Sequence, residues 1–192
     1  MSKLIMGSLL ALLTVFPVSA QKAPHAGAAH NQSAAASDVP TPPSDAEIGE
    51  LLSKASEYVD TYKQTFKNAK ASLDAATTPG FYESGMTLSE QASSVIAAIR
   101  KNGPTAVALV SLLTILDDMS LNAAKASSAT MLVAISQDKS NRDNPAMQNF
   151  LNLAQAGKNC YDISELLFHA TLRLITSEET MLRTLLDNQK RP

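Results

Sequence analysis

The chain has 192 residues, 45% hydrophobic and 18% charged, with 16 Lys and Arg against 18 Asp and Glu for a formal net charge of −2. A balance this even, with no block of like charge, argues against nucleic acid as a partner and leaves no basic stripe for an anionic membrane surface. One cysteine, Cys160, cannot close an intramolecular disulfide. The fold must therefore rest on a hydrophobic core, which a domain near 150 residues is large enough to bury.

The N-terminus reads as a signal peptide over residues 1–20: a basic start at Lys3, an apolar run from Leu9 to Val15, and the small-residue exit Val18-Ser19-Ala20 before Gln21. The run is too short to cross a bilayer, so cleavage is expected and stable membrane insertion afterwards is not. The expected compartment is periplasmic or extracellular. Loss of Lys3 leaves 15 basic residues against 18 acidic, a net of −3. Residues 21–43 are dominated by Ala, Pro, Ser, His and Asn, with Val39 the one large aliphatic, and predict a disordered tail. Its two histidines, His25 and His30, are too few to make a metal site.

A helical domain is expected over residues 44–190. Ser44 and Glu47 form a capping box, in which Ser44 caps a free amide and Glu47 returns a bond to the Ser44 amide. The first helix then carries Ile48, Leu51, Leu52, Ala55, Val59, Tyr62, Phe66, Ala69 and Leu73 at helical spacing, with Lys54, Glu57, Asp60 and Lys67 opposite. Thr77-Thr78-Pro79-Gly80 ends it, and Phe81-Tyr82 are expected to fold over one end of the domain from a loop. A second helix spans about Leu88 to Lys101 and stops at Asn102-Gly103-Pro104.

The third helix, from Pro104 to about Gln137, carries no charge between Lys101 and Asp117 and is apolar around most of its circumference. That pattern predicts a helix at the centre, packed on all sides. A polar loop runs from Ser136 to Asn144. After Pro145 the apolar phase of Met147, Phe150 and Leu151 differs from that of Ile163, Leu167, Leu174, Met181 and Leu185, which predicts a break at Gly157–Asn159 between a short helix and a long one ending near Gln189. The expected fold is all-α, an up-and-down helical bundle of four long helices plus one short helix.

No assembled catalytic motif is present. There is no glycine-rich phosphate loop and no Gly-x-Ser-x-Gly turn, and one cysteine rules out Cys-x-x-Cys-His haem attachment. Glu165 and His169 are four apart without the second such pair that a di-iron bundle needs, and His169 falls on the polar side with Asp162, Glu165 and Arg173. Cys160 has no nearby histidine to activate it, and Met119, Met131, Met147 and Met181 read as core filling.

Two carboxylates stand out as candidate polar core positions. Asp117 is in line with Val110, Leu113, Leu121 and Ile135, and Glu178 with Leu167, Leu174 and Leu185. A charge directed at apolar surface needs a donor, water or a cation. The sequence thus predicts a non-catalytic protein-binding or interaction module without a cofactor, able to form a homo-oligomer. The alternative is a small-molecule or metal-binding bundle with a polar pocket around Asp117 and Glu178.

Overall fold

The computed structural model describes residues 41–76, 80–136 and 144–189. The expected signal peptide, the tail up to residue 40 with its two histidines, and most of the polar loop before Asn144 lie outside the described residues. The described chain is all-helical and has four helices: α1 (Asp45–Asp74), α2 (Phe81–Asn102), α3 (Ala106–Ser136) and α4 (Pro145–Gln189).

A single spacing rule builds the core. α1 buries Ile48, Leu52, Ala55, Val59, Tyr62, Phe66, Ala69 and Leu73, and α2 buries Gly85, Ser89, Ala92, Ile96 and Ile99. The matching stripe on α3 is Leu109, Leu112, Leu116, Met119, Ala123, Ala126, Thr130 and Val133; on α4 it includes Leu153, Ala156, Cys160, Ile163, Leu167 and Ala170. Steps of three and four alternate along every helix, a mean of 3.5 residues, which is the repeat that keeps one seam facing its neighbours along a gentle left-handed supercoil. Each helix packs on the next in chain order and α4 closes on α1, while α1 and α3 barely touch across the diagonal. α3 and α4 run antiparallel: Ser127 donates to the Phe150 carbonyl at 3.0 Å, and Ser164 donates to Asp117 Oδ1 at 2.8 Å.

Four features of the sequence reading are corrected. First, there are four helices and no additional short one, because α4 is continuous through Gly157–Asn159. Gly157 permits close packing there: a Cβ at this position would lie 3.0 Å from Ala123 Cβ and 3.2 Å from the Ser120 carbonyl oxygen of α3. Second, α2 begins at Phe81, so Phe81 and Tyr82 form its first turn. Gly80, at φ +101°, makes the reversal that places them there, a conformation open to glycine at little cost.

Third, α3 is not central. It contacts α2 and α4, and its remaining side faces outward with Val107, Val110, Leu121, Leu132 and Ile135 all exposed. Fourth, the capping box is half formed. Ser44 accepts from the Glu47 amide at 3.1 Å, but the Glu47 carboxylate pairs with Arg173 of α4.

That ion pair also marks where α4 outruns the others. At 1.5 Å per residue, the stretch from Arg173 to Gln189 extends roughly 24 Å past the first turn of α1. Residues 181–189 are all exposed.

Candidate functional site: an apolar face on α3 and α4

Inside the domain the polar groups are satisfied locally. Asn122 of α3 donates to the Tyr62 hydroxyl at 3.0 Å and to the Phe81 carbonyl at 3.3 Å, which ties α3 to α1 and to the start of α2. Burial holds the Tyr62 hydroxyl in its neutral form well above the usual phenol range. Cys160 is a free, fully buried thiol, pushed up by burial to about 12. A thiol in that state is neither a ready nucleophile nor open to pairing between chains.

The two carboxylates singled out in the sequence are not brought together. Asp117 is on the outer side of α3, exposed, and accepts the Ser164 hydroxyl bond. Glu178 is exposed on the projecting part of α4, fourteen residues beyond Ser164, a separation of roughly 21 Å along the helix axis. His169 is exposed, with its ring edge-on to Phe168 at 5.7 Å. No group of three or more His, Cys, Asp and Glu side chains suited to a metal ion occurs among the described residues. An open groove of about 660 Å³ between α2 and α3 is lined by Phe81, Glu83, Thr87, Asp118, Asn122 and Lys125. Its lining includes the hydroxyls of Ser84 and Thr87 but no histidine to activate them, and it faces solvent broadly.

The unusual feature lies on the surface. Every exposed large hydrophobic side chain among the described residues is on α3 or α4, and none is on α1 or α2. On α3 these are Val107, Val110, Leu121, Leu132 and Ile135, with Met131 beside them. On α4, Tyr161, Phe168, Leu172, Ile175, Leu182 and Leu186 recur at steps of three, four and seven. α4 thus carries a second heptad stripe, turned roughly 130° from the one that enters the core. Val110, beside Asp117, and Tyr161 and Phe168, beside Cys160 and Leu167, border the line along which α3 and α4 pack, while Leu121 also lines the groove between α2 and α3. Soluble monomers rarely leave an apolar surface of this extent in water.

The composition of α3 fits that position. It is long and apolar enough to cross a membrane by length and composition, yet it packs as one wall of a four-helix core and carries Asp117, Asp118 and Lys125 on its outer side. Compared with known proteins, the chain matches no protein family, no curated protein and no solved structure.

The sequence reading missed this site. On α3 an inward and an outward apolar stripe merge into an apparently all-round apolar helix, a pattern that by itself predicts burial.

Proposed function

We propose that the protein is an exported up-and-down helical bundle that acts as a non-catalytic interaction module, with the outer face of α3 and α4 as its binding surface. The observation that supports this reading is that every exposed large hydrophobic side chain among the described residues belongs to α3 or α4. The signal-peptide pattern at Lys3, Leu9–Val15 and Val18-Ser19-Ala20 supports export to a periplasmic or extracellular compartment, with the residues after it as a tether to the bundle. A buried, unreactive thiol and the wide separation of Asp117 from Glu178 favour binding over chemistry.

The reading is tested by photo-crosslinking in the native host, with the photoreactive residue placed at Leu132 or Phe168 on the apolar face and at Glu57 or Asp60 on the outer side of α1. Discrete adducts from the first pair and none from the second are expected. Equal labelling from both pairs, or none from either, refutes an α3/α4 binding surface.

A further inference from the structure

The outer stripe of α3 is self-complementary about its own midpoint, and the geometry points to a second copy of this chain as its occupant, bound antiparallel across a twofold axis at Leu121. The inference deepens the interaction-module reading and rests on it. Around Leu121, Val107 and Ile135 stand fourteen residues to either side, and Val110 and Leu132 eleven. An antiparallel pair of α3 helices centred on Leu121 therefore sets apolar residues against apolar residues at both ends. Seven residues to either side stand Thr114 and Ser128, whose hydroxyls already donate within their own helix, to the Val110 carbonyl at 3.1 Å and the Ala124 carbonyl at 3.0 Å. Both can enter an interface without leaving an unpaired donor.

Charge follows the same symmetry. Asp118 stands three residues before Leu121 and Lys125 four after it. Two turns apart, they share one flank of the helix, so an antiparallel partner places its Lys125 within one residue, about 1.5 Å, of the level of Asp118, and its Asp118 as close to that of Lys125. Neither residue has an ion pair among the described residues, and both are exposed.

The area is also sufficient. The five α3 side chains and Tyr161, Phe168, Leu172 and Ile175 beside them are each between 41% and 78% exposed. At roughly 90 Å² apiece they offer on the order of 800 Å², the share one partner gives to a standard-size interface. Packing within the monomer sets Ala123 opposite Gly157, so the axis through Leu121 passes close to Tyr161, and the α4 flank falls within the same contact.

Sedimentation equilibrium of the chain purified from its host without detergent tests the inference through a charge exchange. The native protein is expected to be dimeric in the micromolar range. Asp118→Lys and Lys125→Asp should each raise the dissociation constant about tenfold or more. Mixing the two variants, or combining both substitutions in one chain, should restore it to within a few-fold, because opposite charges then face each other again. Leu121→Cys should give a disulfide-linked dimer under mild oxidation, with the buried Cys160 taking no part. These positions are exposed, so circular dichroism should report folded variants throughout. A native monomer at tens of micromolar overturns the inference, as does a dimer indifferent to the charge exchange and to Leu121→Cys. If that monomer still forms α3/α4 adducts in the host with another protein or with lipid, self-association is lost while the binding-surface reading stands. A dimer indifferent to the charge exchange that also gives no α3/α4 adducts in the host removes both.

Discussion

The two halves of this domain solve one packing problem and then diverge. α1 and α2 bury one stripe each and turn charged residues such as Lys54, Glu57, Asp60 and Glu90 to solvent. α3 and α4 bury an equivalent stripe and then expose a second apolar one. Core formation accounts fully for the first pair and for only half of the second. What differs is the outward side, and a surface that folding does not use is open to selection for binding.

The largest expected effect falls on the inner side. Phe66 is fully buried and stacked on Tyr62 at 4.5 Å, so Phe66→Ala should cost about 3–5 kcal/mol in chemical denaturation. Gly85→Ala comes next, at about 1–3 kcal/mol, because the added Cβ would sit 2.4 Å from Phe66 Cδ1 and the ring or α2 must move. An unchanged denaturation midpoint in either variant would mean that the α1/α2 half packs differently from this description.

Alkaline pH offers an intermediate effect. The folded Cys160 thiol titrates at about 12 against an ordinary 9.0, so it stays protonated in the folded chain while the unfolded chain begins to ionise. Its contribution to stability is complete below pH 9 and is lost as pH rises towards 12, at up to about 1.4 kcal/mol per pH unit. Tyr62, raised for the same reason, adds a loss that begins only above its ordinary 10.0. Denaturation measured at several pH values should show Cys160→Ala flattening the part of the slope that starts at pH 9; an unaltered slope would place the thiol in water.

The smallest effect on stability belongs to the outer stripe. Leu132→Ser and Phe168→Ser, at positions 67% and 53% exposed, should change the stability of dilute protein by no more than about 0.5 kcal/mol while weakening association. A stability loss as large as that of Phe66→Ala would show that these side chains belong to the core.

Much of the fold was legible from spacing alone. The eight buried residues of α1 are all among the nine its apolar periodicity picks out, Leu51 being only partly buried, and Ser44 caps it as expected. What escaped was carried by small side chains. Gly157 packs against Ala123 and lets α3 and α4 approach closely, but side chains this small contribute little hydrophobic signal, so the inner stripe of α4 fades near Gly157 and resembles a break in the sequence. Asp117 was read as facing inward because Val110, Leu121 and Ile135, its neighbours on the helical wheel, are large and apolar. They are outward-facing too, and an apolar residue on a wheel does not say which side the core lies on.

The central claim, that the apolar half is covered when the protein works and the polar half is not, is tested most directly by hydroxyl-radical footprinting of the purified chain, dilute and concentrated. Concentration-dependent protection of Leu121, Leu132, Tyr161 and Phe168, with Tyr58 and Met86 of α1 and α2 labelled equally in both samples, is the predicted result. Labelling of the α3/α4 residues that does not change with concentration, or protection spread evenly over all four helices, would contradict it.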